Sequence, residues 1–414
     1  MSKLVVLSFG NGDCVAGVQS VTLQIWQNGN IWLTKSVGSL PPAPEISQLY
    51  TNWQSSYRRQ MELNFRREES NNPKMGSKSR LEPKSGVTNY SKLDIDDAGE
   101  DLKARMNEWL KSPSFTRTRD RLLMTVMPDE EIRFIVETDN SQLRLLPWHL
   151  WEFFDYHPNA EVALSPLEFD RPFRHTVIPR TECRILAILG DSTGIDIEND
   201  REELKKLPIQ TVFLAEKSRA EVNQAFWDRQ GWDILFFAGH SVTEASGKKG
   251  EIFINRTESL SISKFKKSLK NVIGKGLKLA IFNSCDGLGI ASELASLNIP
   301  NIIVMREPVP DLVAQAFLKY FLEAFSHPKP LYLAVREARE KLEGLEYDSP
   351  CASWLPVIFQ NPAEEPVSWQ ELSGIKSECS QVVQPSLAIV VCPYCKYENP
   401  ANIIFFEQCG SQLK

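Results

Sequence analysis

From Arg184 onward the chain alternates between short, almost wholly apolar runs and longer stretches with apolar residues on one helical face. The runs Ile185–Leu189, Val212–Leu214, Ile234–Ala238, Leu277–Phe282, Ile302–Met305 and Leu355–Phe359 read as buried strands. Helices are predicted between them over 197–207, 219–228, 289–296, 311–325 and 331–345. A hairpin around Gly250 carries Ile252–Ile254, and Ser261 is placed to cap a helix with Ile262, Phe265, Leu269 and Ile273 on one face. Strands without polar alternation, separated by amphipathic helices, predict an α/β fold: a mostly parallel sheet covered on both faces by helices.

The N-terminal third follows another rhythm. Val21, Leu23 and Ile25 alternate with polar residues, Asn28–Gly29 forms a two-residue turn, and Ile31 and Leu33 resume the alternation. Pro41–Pro42–Ala43–Pro44 ends this sheet, and a helix is expected over 45–64. Residues 66–92 are polar and rich in Gly, Ser and Pro, which predicts a solvated loop despite several basic residues. An amphipathic helix over Ile95–Leu110 completes this β-rich α+β lobe; a strand at Ile132–Val136, an aromatic-rich helix over Leu143–Phe154 and a short strand at Val162–Leu164 follow it. Pro166, Pro172 and Pro179 mark a connector into the strict alternation.

Composition narrows the class. The 414 residues are 42% hydrophobic and 24% charged, ordinary values for a globular chain of two to three domains. A formal net charge of −6 argues against nucleic-acid binding by bulk charge. No run approaches the ~18 apolar residues of a membrane span, and Leu4–Leu7 is too short for a signal segment, so a cytoplasmic chain is expected. Its 8 Cys should then be reduced, leaving three roles for them: core residue, metal ligand or nucleophile.

Two buried strands end in reactive side chains. His240 follows Ile234–Ala238, and Cys285 follows Leu277–Phe282, 45 positions later. Ligands of open α/β sheets bind beyond the carboxyl ends of strands, so one sheet edge can bring an imidazole to a thiol. Such a pair suits acyl transfer: imidazole raises the thiolate fraction and later protonates the leaving amine. Gly239 and Gly287 keep both turns sterically open, and the N–H groups after the Cys strand face a helix start, where an oxyanion is favoured. Taken singly, each residue reads as core; taken together at Gly-bearing turns they read as a site.

At these residues the chain resembles the CHAT family of caspase-like, separase-related cysteine peptidases. The likeness rests on Phe236–Phe237–Ala238–Gly239–His240 and Asn283–Ser284–Cys285–Asp286–Gly287, on Leu146–Pro147–Trp148, on Val335–Arg336–Glu337–Ala338–Arg339 and on Ala352–Ser353–Trp354. It covers roughly residues 121–362, and the N-terminal segment resembles that of cyanobacterial members. The resemblance implies a caspase-like fold and peptide-bond hydrolysis, with Cys285 as nucleophile and His240 as general acid/base. The oxyanion would be held by the N–H of Cys285 and of the residue after His240, commonly Gly and here Ser241. Related metacaspases carry an acidic residue two positions before the nucleophile, where this chain has the neutral Asn283, so a basic substrate preference does not follow. Asn283, Asp191 and Asp286 are candidate residues of the substrate cleft, with turn or cap roles as the alternative for the two Asp.

The expected organisation is an accessory lobe (1–120), a peptidase domain (121–362), a linker (363–390) and a small zinc-ribbon-like tail (391–414). In that tail Cys392, Cys395 and Cys409 are candidate zinc ligands, although Phe406 stands where a fourth Cys would be wanted. Cys14, Cys183, Cys351 and Cys379 lack ligand spacing and are expected to be inert. Catalysis should need no cofactor. Expected partners are protein or peptide substrates and a regulatory protein on the tail, with neither nucleic acid nor membrane. The rival readings are a non-catalytic interaction module and an acyl transferase built on the same pair.

Overall fold

The computed structural model describes residues 2–71, 92–172, 182–193, 195–243, 250–285 and 287–373, together with strands Ile389–Val391 and Glu398–Pro400. Residues 1–374 form one compact unit and 375–414 a second.

In the first unit the N-terminal strands are β1 (Ser2–Phe9), β2 (Gly12–Asp13), β3 (Gly17–Gln27) and β4 (Ile31–Leu40). Helices α1 (Pro44–Asn71), α2 (Lys92–Trp109) and α3 (Pro113–Thr125) follow. Next come β5 (Glu131–Glu137), α4 (Ser141–Leu145), α5 (Phe153–Tyr156) and β6 (Ala160–Ser165). The alternating half runs β7 (Arg184–Leu189), α6 (Ile197–Lys205), β8 (Gln210–Ala215), α7 (Arg219–Phe226) and β9 (Ile234–Ala238). A three-stranded antiparallel insert comprises β10 (Ser241–Thr243), β11 (Gly250–Phe253) and β12 (Ser259–Ser261). Then follow α8 (Lys266–Gly274), β13 (Leu279–Asn283), α9 (Leu288–Ala295), β14 (Asn301–Met305), α10 (Asp311–Phe325), α11 (Leu331–Lys341), β15 (Pro356–Gln360) and α12 (Trp369–Ser373).

Among the described residues, one 12-stranded sheet has the order β2-β3-β1-β5-β6-β15-β14-β13-β9-β7-β8, with β4 on β3. Pairing is parallel from β1 to β5, β6 and β15, and again from β14 through β13, β9 and β7 to β8; β15 runs antiparallel to β14. The β-rich N-terminal strands therefore continue the central sheet. Every residue of β7, β9, β13 and β14 is buried, as their apolar runs require, and the polar end residues Arg184, Asn283 and Asn301 are hydrogen-bonded. At about 1.5–3 kcal/mol per buried Leu, Ile or Phe, these strands dominate the core.

Several elements differ from expectation. Helix α1 continues to Asn71, because Phe65–Asn71 holds charged helix formers and meets no Pro before Pro73; of the expected 66–92 loop, residues 72–91 lie outside the described residues. The helix predicted over Leu143–Phe154 is three short pieces, since Pro147 holds Leu146 extended (φ −63°, ψ 138°). Ser261 ends β12 instead of capping a helix, and α8 begins only at Lys266.

Helix α1 packs on the alternating half through Trp53, which is fully buried, stacks on Trp354 at 5.2 Å and donates its indole N–H to Cys351 Sγ at 3.3 Å. In the second unit Ile389–Val391 pairs antiparallel with Glu398–Pro400; Cys379, Cys392, Cys395 and Cys409, and with them the candidate zinc site, lie outside the described residues. No helix among the described residues is long and apolar enough to cross a membrane.

Candidate active site

The parallel register pairs Ala238, the last residue of β9, with Asn283, the last of β13. His240 and Cys285 each stand two residues beyond this pair. Neighbouring strands lie about 4.8 Å apart, so the imidazole and the thiol rise from adjacent ends of one sheet edge. Leu189 of β7 is in register with Ala238 as well, which brings the turn after Gly190 beside them.

Glycines set the approach of these turns. Gly239 has φ +145°, a conformation that side chains rarely allow, and a Cβ there would lie 3.1 Å from Gly190 Cα. The insert then ties the turns together: Phe253 donates its N–H to the His240 carbonyl at 2.9 Å, and its own carbonyl accepts from Asp191 N at 2.9 Å.

His240 is half-buried, and its Nε2 lies 2.8 Å from the Thr193 carbonyl. A carbonyl only accepts, so Nε2 carries the proton and Nδ1 of the neutral ring is left as the base. Asp191 shapes the loop that supplies this carbonyl: its Oδ1 accepts from Thr193 N at 3.0 Å and from Thr193 Oγ1 at 2.6 Å. Burial pushes the Asp191 carboxyl upward, and the Thr193 hydrogen bonds outweigh it, leaving its pKa below the ordinary value. Asp191 is thus a turn residue in this structure. The orienting carbonyl is backbone, which no side-chain pattern reveals.

Among the described residues Cys14, Cys183 and Cys351 are buried, whereas Cys285 is half-buried. Burial pushes the Cys14 thiol to about 11 and that of Cys351 to about 12, which keeps both inert. Cys285 Sγ lies 3.9 Å from the Val309 carbonyl. Ser241 staples the two strand ends: its Oγ donates to the Cys285 carbonyl and lies 2.9 Å from Ser284 Oγ. It opens β10, where any residue fits, so Ser for Gly brings a bond without strain. Gly287 is a turn residue whose N–H goes to the Met305 carbonyl at 2.8 Å; a Cβ there would meet Val304 Cβ at 2.7 Å. Asp286 lies outside the described residues.

Asn283 does not line a cleft. Only 6% exposed, it donates Nδ2 to Asp200 Oδ1 at 3.0 Å and to the Ala314 carbonyl at 3.3 Å. As the end of a strand buried on both faces, it points into the layer of α6 and α10. Burial raises the Asp200 carboxyl to about 7; Asn283 opposes this, while Asp311, Asp196 and Glu203 add to it. The folded chain therefore holds a proton that the unfolded chain releases near pH 4. The associated stability is complete below pH 4 and is lost as pH rises through about 7. Asp200→Asn should therefore stabilise the fold at pH 8 by about 2–4 kcal/mol, with little effect at pH 4, as read by thermal melts at both pH values. Equal shifts at the two would contradict this.

Asp311, in the first turn of α10, accepts from Asp196 N at 2.7 Å across to the Thr193 loop. His149 is a core residue: burial, then nearby cations, hold its pKa far below the ordinary value. No group of three or more His, Cys, Asp or Glu among the described residues is arranged to hold a metal ion.

A mostly parallel sheet flanked by helices, with His and Cys at adjacent strand ends, defines a caspase-like fold. Solved structures of similar fold include the Saccharomyces cerevisiae separase–securin complex, at 11% identity and TM-score 0.50, over 87% of this chain and 30% of that one. Gingipain R, the Arg-specific cysteine proteinase RgpB of Porphyromonas gingivalis, matches at 10% identity and TM-score 0.42, over 63% of this chain and 71% of that one. The Drosophila initiator caspase Dronc matches at 10% identity and TM-score 0.34, over 49% and 94% respectively. No curated protein matches the sequence. The CHAT domain model matches residues 169–383, just over half of the chain, and the chain belongs to the CHAT domain family.

Proposed function

We propose that the chain is a cysteine endopeptidase acting on protein substrates, with Cys285 as nucleophile and His240 as general acid/base. The observation that carries this reading is the register of Ala238 with Asn283, which sets His240 and Cys285 on adjacent strand ends. The Thr193 carbonyl supports it by holding Nε2–H and leaving Nδ1 basic.

In this reading Nδ1 takes the Sγ proton as sulfur attacks the peptide carbonyl carbon. The N–H groups of Cys285 and Ser241 receive the oxyanion. The C–N bond then breaks, and the imidazolium gives its proton to the leaving amine. Nδ1 next deprotonates a water, which attacks the thioester, and the C–S bond breaks to return thiol and carboxylic acid. Transfer of the acyl group to an amine would use the same intermediate, so products separate the two reactions.

The test is cleavage-site profiling of a protein mixture treated with the full chain or with Cys285→Ala. New termini that appear only with the wild type, each new carboxylate having gained one water, support the endopeptidase. Identical termini from both proteins would overturn it in favour of an interaction module.

A further inference from the structure

The segment Arg306–Pro310 joins β14 to α10 and runs beneath Cys285. The carbonyl just before it, Met305, accepts from Gly287 N, and its Val309 carbonyl faces Cys285 Sγ at 3.9 Å. At its far end, Asp311 holds the loop that presents Thr193 to His240. One stretch of chain thus touches the supports of both reactive side chains.

Within this stretch lies Glu307, whose side chain has no exposure. A buried carboxylate is tolerated only when paired; its hydrogen-bond partners come from α1, some 250 positions earlier in the sequence, and the buried Arg306 guanidinium adds a second nearby positive charge. Tyr50 Oη donates to Oε1 at 3.1 Å, Gln54 Nε2 donates to the same oxygen at 2.5 Å, and Arg58 Nε donates to Oε2 at 2.6 Å. These residues stand at successive i, i+4 positions on one helical face. Tyr57, beside them, donates its hydroxyl to the Pro308 carbonyl at 2.7 Å. Burial first, then the negative charges of Glu307 and of a Cys285 thiolate, raise the Tyr57 hydroxyl well above its ordinary value. No catalytic step described above uses any of these groups.

We propose that Glu307 is a positioning residue and that α1, through Tyr50, Gln54, Tyr57 and Arg58, sets the reactivity of Cys285. On this account the N-terminal region is a working part of the site, because the loop under the thiol has its ionic anchor on α1. The proposal rests on the peptidase reading for its kinetic readout, but not for its chemical one.

The test uses the full chain with Arg58→Met, Arg58→Lys and Tyr57→Phe. Arg58 is 43% exposed, and Tyr57→Phe keeps the ring, so both sites tolerate change without loss of the core. The first readout is the pH profile of Cys285 alkylation by iodoacetamide, followed by peptide mass spectrometry. The second is kcat and KM for a cleaved peptide. Arg58→Met should slow alkylation at neutral pH and lower kcat by about ten-fold or more, with KM within about two-fold, since small displacements cost this much. Arg58→Lys should restore most of the loss, and Tyr57→Phe should move both readouts in the same direction by less. Folded Arg58→Met and Tyr57→Phe with wild-type alkylation profiles would overturn the proposal. If alkylation responds while the wild type cleaves no peptide, the clamp stands and the peptidase reading fails. If hydrolysis is found and neither readout responds, the clamp alone fails.

Discussion

Replacing Cys285 with Ala is expected to lower peptide hydrolysis by about 10⁴-fold or more, and His240→Ala should lower it comparably. The two residues stand on adjacent ends of registered strands, and the proposed mechanism has them act on one proton, so their losses should not add. The double substitution should be little worse than either single one, because the remaining rate comes from binding and oxyanion donors alone. Both side chains are only half-buried, so these truncations leave no large cavity in the core. Circular dichroism should therefore match the wild type while kcat collapses. A Cys285→Ala protein that retained a tenth of the wild-type kcat would remove the thiol from the reaction.

The second large effect is expected at Gly190. A Cβ at this position would stand 2.1 Å from the Phe253 carbonyl oxygen and 3.0 Å from the Phe237 ring. The carbonyl cannot retreat freely, since it accepts the Asp191 N–H at 2.9 Å while the Phe253 N–H holds the His240 carbonyl. Gly190 itself donates to the Ala238 carbonyl at 2.8 Å, so it is fixed from the other side too. Gly190→Ala must therefore spread β7, β9 and the insert. We expect a destabilisation of about 3 kcal/mol or more, at the upper end for overpacking. Activity should fall in the same variant, because the displaced backbone carries His240. Gly344→Ala is the matched control, as a Cβ there meets nothing within 4 Å; it should stay within about 0.5 kcal/mol. Chemical denaturation of the three proteins checks both values.

The central strands were legible in the sequence for a physical reason. β7, β9, β13 and β14 are buried on both faces, so they appear as near-continuous apolar runs with reactive residues just beyond two of them. What the sequence hid was set by tertiary contact. Asn283 looked like a cleft residue, yet the end of a doubly covered strand faces helices, and Asp200 lies far from it in sequence. The Thr193 carbonyl has no side-chain signature. Arg306–Glu307–Pro308 has the composition of an exposed turn, and only the α1 face that covers it makes Glu307 a buried charge. Ser261 reads as a helix cap yet ends an edge strand, because capping chemistry and an edge strand use the same residue types.

The most direct test of a Cys285 nucleophile is to quench a single turnover of a cleaved peptide in acid and map the adduct by mass spectrometry. The account predicts the acyl fragment as a thioester on the peptide that carries Cys285, absent from Cys285→Ala and absent before substrate is added. Turnover without any adduct at Cys285, or with the acyl group on another residue, would contradict it.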